Sequence, residues 1–143
     1  MREFVVDASA ALAWLVQTQA TSRSAAFLAE RDQDRLLAPY IFSWEVGNVL
    51  LSLHRRRALS TGAHGAVLVE LAALEVDVQP APPRRDVEDL AAFARVSRFS
   101  LFDAAYVKLA IERGAELVSR DAEMLAIATE QGVPCIDLRG PVT

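Results

Sequence analysis

Short apolar segments alternate with helical segments along the whole chain, and this alternation restricts the possible fold more than any other feature. The first segment, Glu3–Val6, is β-branched and apolar on both faces, which is typical of a fully buried strand. Further strands are predicted at Leu36–Ala38, Val76–Val78, Leu117–Ser119 and Cys135–Leu138. Helices are predicted at Ala8–Val16, Ser22–Arg31 and Tyr40–Arg57, from Ser60, from Pro83, at Ser100–Arg113 and at Ala122–Gln131.

Strands that alternate with helices favour a central parallel sheet with helices on both faces. We therefore predict an α/β fold of three layers, α/β/α, around a mainly parallel sheet of about four to five strands. The length of 143 residues suits one core, and we expect residues 1–143 to form a single domain.

The composition is apolar for so small a chain, with 52% apolar residues and a mean hydropathy of +0.21. No apolar run is long enough to cross a bilayer, and Glu3 and Asp7 argue against an N-terminal signal peptide. We expect the excess apolar surface to contact a partner protein or a second copy of the chain. Cys135 is the single cysteine, which excludes an intrachain disulfide and favours a cytoplasmic compartment.

Two acidic residues follow predicted strands. Asp7 comes directly after the first strand, and Asp121 comes two residues after Leu117–Ser119. Open parallel sheets bind ligands outside the carboxyl ends of their strands. We therefore expect both carboxylates to lie beside a binding site.

Two further acidic residues lie on apolar helix faces. Glu45 shares its face with Val49 and Asn48, and Asp103 shares its face with Tyr106. An unpaired ionised carboxylate on such a face is costly, so it requires a cation, a proton or a hydrogen-bond donor. Asn48 is a candidate donor for Glu45.

Helix capping is the alternative explanation for three of these acids. Asp7 and Asp121 each precede a helix, and Ser100 and Asp103 have the spacing of a capping box. The sequence leaves both interpretations open for these three. Glu45 resists the capping explanation because it is predicted inside a helix.

Four carboxylates brought together would concentrate negative charge that only a cation neutralises. Carboxylate oxygens prefer Mg²⁺ or Mn²⁺ to zinc, and such an ion polarises a phosphoryl oxygen and lowers the pKa of bound water. The acids therefore predict a metal-dependent phosphodiesterase. The sequence has no glycine-rich phosphate loop, and we expect His54 and His64 on exposed helix surface, which leaves no serine triad.

The formal net charge of −4 argues against a nucleic-acid substrate, but the four acids alone account for it. The basic residues are nearly all arginine, the better bidentate phosphate ligand, and Lys108 is the only lysine. Arg55–Arg57, Arg84–Arg85 and Arg120 are candidates for phosphate contact. A cation cluster equally suits the helix C-terminus at Arg55–Arg57.

Four motifs in order resemble those of the PIN-domain ribonucleases, and their size and order look most like those of the VapC toxins of type II toxin–antitoxin pairs. The motifs are FVVDAS at 4–9, EVGNVL at 45–50, FDAAYVKLA at 102–110 and VSRD at 118–121. The resemblance runs over nearly the whole chain. Each motif alone is weak, and their order makes the resemblance specific.

The resemblance implies a toxin that cleaves RNA with Mg²⁺ or Mn²⁺. It assigns metal binding to the four acids, and it assigns Ser119 and Ser9 the role of orienting an acid or a water. It also implies a homodimer that a cognate antitoxin holds inactive, with no membrane involved. Arg120 departs from the small residue expected between Ser119 and Asp121.

Two other functions remain open from the sequence. One is another metal-dependent phosphohydrolase, such as a haloacid-dehalogenase-like phosphatase or a receiver domain. Both fit poorly, because Asp7-Ala8-Ser9 lacks the second early acid and Lys108 lies in a predicted helix. The other is a non-catalytic module whose acidic pocket docks a basic peptide.

Overall fold

Five parallel strands form one sheet, with helices on both sides, in a computed structural model that describes residues 1–140. The strands are β1 (Glu3–Val6), β2 (Arg35–Ala38), β3 (Asp77–Val78), β4 (Glu116–Ser119) and β5 (Cys135–Asp137). The helices are α1 (Ala8–Leu15), α2 (Ser22–Glu30), α3 (Phe42–Arg55), α4 (Thr61–Ala73), α5 (Arg84–Ser97), α6 (Leu101–Arg113) and α7 (Ala122–Glu130). The predicted three-layer α/β/α fold is confirmed. Residues 141–143 of the expected single domain lie outside the described residues.

The strand order is β3-β2-β1-β4-β5, so β1 lies at the centre of the sheet. The chain builds outward from β1 to β3 on one side and then returns to place β4 on the other side of β1. The boundary between β1 and β4 is therefore the topological switch point, where open parallel sheets bind ligands. Val6 pairs with Val118 in this register, which brings the residues after them, Asp7 and Ser119, side by side.

The central strands are buried on both faces, as their uninterrupted apolar sequences predict. Val5, Val6, Leu117 and Val118 have no exposed surface. Helix α6 packs against β1 and β4, while α1 packs against β4 and against helices α2, α3 and α4. No helix within residues 1–140 is both long enough and apolar enough to span a membrane.

The predicted helix boundaries differ from the structure at a few points. Helix α3 begins at Phe42 rather than Tyr40, because the backbone N–H of Phe42 closes a turn onto the carbonyl of Pro39 at 3.0 Å. Pro83 precedes α5 as its N-terminal cap rather than lying in its first turn. A short 3₁₀ helix at Gln17–Gln19 was not predicted.

Candidate metal site at the carboxyl ends of β1 and β4

Asp7 is held by three hydrogen bonds at the end of β1. Its Oδ1 accepts from Ser9 Oγ at 2.7 Å and from the backbone N–H of Ala10 at 2.9 Å. Its Oδ2 accepts from Ser119 Oγ at 2.5 Å. Only 4% of Asp7 is exposed, and loss of solvation raises its pKa to about 6 despite these bonds; the charge of Asp121 adds to the shift.

The two serines join the turn after β1 to the turn after β4. Ser9 Oγ and Ser119 Oγ lie 3.2 Å apart. Ser9 Oγ accepts from the backbone N–H of Arg120, and Ser119 Oγ accepts from the backbone N–H of Asp121, each at 2.9 Å. The position of Asp7 relative to Asp121 is thus set by side-chain bonds as well as by the sheet.

Glu45, near the start of α3, is half-buried and bonds across to α6. Its Oε1 accepts a hydrogen bond of 2.6 Å from Tyr106 Oη. Asn48, the donor suggested by the sequence, is exposed, so Tyr106 takes the expected role of the donor. Burial raises the pKa of Glu45, the Tyr106 bond opposes the increase, and the charge of Asp103 adds to it.

Asp103 lies in the first turn of α6 and is also half-buried. Its backbone N–H donates to Ser100 Oγ at 3.0 Å, which is one half of the predicted capping box. Burial raises the pKa of the Asp103 carboxyl, side-chain hydrogen bonding with Ser100 lowers it, and the charges of Asp121 and Glu123 raise it further.

The four acids form a chain of electrostatic neighbours. The charge of Asp121 raises the pKa of both Asp7 and Asp103. The charge of Asp103 raises the pKa of Glu45. Within residues 1–140, none of the four forms an ion pair with an arginine, lysine or histidine. The fold therefore gathers repelling carboxylates and supplies no basic side chain to balance them.

The capping interpretation is also correct for two of these residues. Asp7 caps α1 through the bond from Ala10, and Asp121 caps α7 by accepting from the backbone N–H of Glu123 at 3.0 Å. Each cap uses Oδ1 of its aspartate. Capping and a ligand role are therefore compatible in the same side chain.

The donor set fits a hard divalent cation. All four groups are carboxylates, which is the chemistry that Mg²⁺ and Mn²⁺ prefer, and the desolvated Asp7 carboxylate gains most from a cation. The arrangement is open, because no three acidic, histidine or cysteine side chains in residues 1–140 already approach a common point closely enough to hold an ion. Occupancy would require side-chain movements at the exposed or half-buried Asp121, Asp103 and Glu45.

Two residues of the site were not assigned a role from the sequence. Tyr106 appeared in the sequence only as a neighbour on the face of Asp103, and its contact with Glu45 spans 61 positions, which no local pattern reveals. Glu123 adds a fifth negative charge near Asp103. Its spacing of two residues after Asp121, in the first turn of α7, was the available signal.

The other predicted residues lie elsewhere. Arg55–Arg57 and Arg84–Arg85 are exposed, whereas Arg120 Nη1 donates to Gln19 Oε1 at 2.8 Å. The expectation that His54 and His64 lie on exposed surface is wrong. Their rings stack against each other with centroids 5.6 Å apart, and His54 Nδ1 lies 2.9 Å from the carbonyl oxygen of Leu59.

Comparison with protein families gives a match to the PIN domain over residues 4–130. No curated protein matched. PAE2754 from Pyrobaculum aerophilum has the same fold at 24% identity, with a TM-score of 0.68 over 96% of this chain and 90% of that chain. VapC20 of Mycobacterium tuberculosis, described as a sarcin-ricin loop cleaving toxin, is 19% identical, with a TM-score of 0.61 over 96% of this chain and 99% of that chain. VapBC-1 from nontypeable Haemophilus influenzae is 15% identical, with a TM-score of 0.61 over 95% of this chain and 98% of that chain.

These identities are low, so the solved structures show a shared fold. The family match covers most of the chain and includes all four acidic positions. The resemblance expected from the sequence motifs is therefore confirmed: the chain belongs to the PIN-domain family.

Proposed function

We propose that the protein is a metal-dependent endoribonuclease that acts as the toxin of a toxin–antitoxin pair. The observation that carries this proposal is the chain of neighbouring carboxylates, which starts with Asp7 and Asp121 at the switch point of the sheet and continues to Asp103 and Glu45. None of the four has a basic partner in residues 1–140. A phosphodiester substrate is negatively charged, so these acids would repel it unless a cation lay between them.

The four acids would hold Mg²⁺ or Mn²⁺. The bound ion would supply a polarised phosphoryl oxygen and a water of lowered pKa. Ser9 and Ser119 keep the Asp7 carboxylate ionisable and fixed, because each donates a hydrogen bond that opposes the effect of burial on its pKa. Ser119 also fixes the backbone at Asp121, so we assign both serines a positioning role.

RNA is the substrate class that the comparisons favour. VapC20, which shares this fold, is described as cleaving the sarcin-ricin loop. The exposed arginines Arg55–Arg57 and Arg84–Arg85 are candidates for contact with RNA phosphates. The RNA sequence that is cut depends on surface shape, so we propose the substrate class alone.

RNA cleavage by the purified chain tests the proposal. We expect structured ribosomal and transfer RNAs to be cut with Mn²⁺ or Mg²⁺ and to stay intact with EDTA. Asp103→Asn should lower the rate about 100-fold or more with an unchanged circular dichroism spectrum, because loss of a metal ligand costs at least as much as loss of its supporting group. The exposed Asp32→Asn is the matched control. Cleavage that survives EDTA or Asp103→Asn would sink the mechanism.

We also propose that a second copy of the chain and an antitoxin cover its apolar surface. Large apolar side chains are exposed beside the acids, with Trp44 at 71% and Phe102 at 55%. They line an open hollow of about 570 Å³ together with Tyr40, Ile41, Glu45 and Asn48. Light scattering should give twice the 15.6 kDa chain mass, and a monomer at all concentrations would contradict the dimer.

The acidic pocket would also suit a module that docks a basic peptide without catalysis. The neighbouring carboxylates are the observation that favours it, because they would also attract arginine or lysine side chains. Calorimetry separates the two functions, because a nuclease must bind Mn²⁺ tightly enough to use it and a peptide-docking pocket has no such requirement. Absence of Mn²⁺ binding together with tight binding of an arginine-rich peptide would favour the module.

A further inference from the structure

Tyr106 joins the apolar core to the acidic site. It lies one turn after Asp103 in α6, and only 1% of the residue is exposed. Its ring is fixed by the surrounding core, while its hydroxyl reaches Glu45 Oε1 at 2.6 Å. This is the only hydrogen bond that the Glu45 side chain makes within residues 1–140.

The direction of this bond follows from the chemistry of the two groups. A phenol hydroxyl carries its hydrogen at neutral pH, and an ionised carboxylate can only accept a hydrogen bond. Tyr106 Oη therefore donates a hydrogen bond to Glu45 Oε1. Within residues 1–140, Oε2 of Glu45 accepts no hydrogen bond and is available to a cation.

Glu45 needs such a restraint to face the other acids. Its side chain has three rotatable bonds, is half-buried and is repelled by Asp103. A free glutamate in this position would lower its energy by turning toward solvent. The Tyr106 hydroxyl, held on a rigid core residue, opposes that movement.

We propose that Tyr106 is a positioning residue, whose hydroxyl holds the Glu45 carboxylate in place as a ligand for the divalent cation. This inference rests on the proposed metal-dependent function. A residue that hydrogen-bonds to a metal ligand commonly raises metal affinity by about 10–100-fold. A purely structural role, in which the bond only ties α3 to α6, would stabilise the fold and leave metal affinity unchanged.

Tyr106→Phe separates these roles, because it removes the hydroxyl and keeps the buried ring. We expect the dissociation constant for Mn²⁺, measured by calorimetry, to rise about tenfold or more. The melting temperature of the metal-free chain should change little. Ser52→Ala is the control, because it removes a hydroxyl from the exposed surface of α3, outside the residues that line the hollow beside Glu45. It should leave the Mn²⁺ affinity unchanged.

A double-mutant cycle tests whether Tyr106 acts through Glu45. If it does, Tyr106→Phe in a Glu45→Ala background should alter the Mn²⁺ affinity by less than about twofold. The Mn²⁺ concentration for half-maximal RNA cleavage should rise in the single variant, while the KM for RNA at saturating Mn²⁺ stays constant.

The measurements distinguish failure of the Tyr106 positioning role from failure of the metal-dependent function. Wild-type binding of Mn²⁺ with an unchanged affinity in Tyr106→Phe would overturn the positioning role alone. An equal loss of affinity in the Glu45→Ala background would also overturn it. If neither the wild type nor Ser52→Ala binds Mn²⁺, the metal-dependent function and this inference both fail.

Discussion

Asp7 is almost fully buried, and its pKa of about 6 lies above the ordinary value of 3.8. The folded protein therefore holds this proton more tightly than the unfolded chain does. In EDTA, the free energy of unfolding should fall as the pH rises from about 4 to about 6, and this group should contribute a loss of about 3 kcal/mol. Asp7→Asn should flatten the profile measured by urea unfolding, whereas Asp32→Asn should leave it unchanged. An equally steep profile in Asp7→Asn would contradict the assignment.

Ser119 has no exposed surface, and its hydroxyl bonds to both Asp7 and the backbone of Asp121. Ser119→Ala removes the bond to Asp7 Oδ2 and leaves the backbone N–H of Asp121 without its acceptor. We expect a loss of about 1–3 kcal/mol in unfolding free energy and a roughly tenfold weaker Mn²⁺ affinity. Chemical denaturation and calorimetry measure the two effects. The exposed Ser52→Ala is the control, and parity of the two variants would refute the role of Ser119.

The positions of two site residues were predictable from the sequence, because the sheet determines them. Asp7 and Asp121 follow strands that the apolar runs reveal, and parallel strands share one carboxyl edge. The partner of Glu45 was not predictable, because α3 and α6 meet only through the tertiary fold. Local spacing suggested Asn48, a neighbour on the helix, where the structure has Tyr106.

At the scale of whole elements, two helices end in the same left-handed conformation with different residues. Arg98 ends α5 at φ 63° and Gly114 ends α6 at φ 60°. A side chain in this region costs about 1 kcal/mol, and glycine avoids that cost. Arg98→Gly should therefore stabilise the protein by about 1 kcal/mol, and Gly114→Ala should destabilise it by about the same amount. A Cβ at Gly114 would meet nothing within 4 Å, so the cost there is conformational.

Thermal unfolding measures both variants, and each serves as the control for the other. One variant introduces a glycine and the other removes one, at two positions with nearly the same backbone angles. Effects of the same sign would show that contacts of Arg98, rather than its backbone, dominate. The two ends of α6 were predicted correctly. Ser100 and Gly114 frame α6 as the sequence indicates, whereas the 3₁₀ helix at Gln17–Gln19 lacks a comparable signal.

Across the whole molecule, two classes of acidic residues contrast with each other. One class forms ion pairs away from the site, and its members are Glu3, Asp34, Asp77, Glu88, Glu116 and Asp137. The other class is the four acids of the site, which repel one another and have no basic partner within residues 1–140. The site therefore collects four negative charges that no ion pair within residues 1–140 balances.

This division predicts opposite responses to charge removal and to metal. Without metal at pH 7.5, Asp103→Asn should raise the unfolding free energy, because it relieves repulsion from Asp121 and Glu45. Asp77→Asn should lower it by up to about 1 kcal/mol, because it breaks the exposed pair with Arg35. Mn²⁺ at 100 times its dissociation constant should stabilise the wild type and Asp77→Asn by about 2.7 kcal/mol and Asp103→Asn by much less. Thermal unfolding with and without Mn²⁺ measures all three, and equal stabilisation of the two variants would contradict a metal site at these acids.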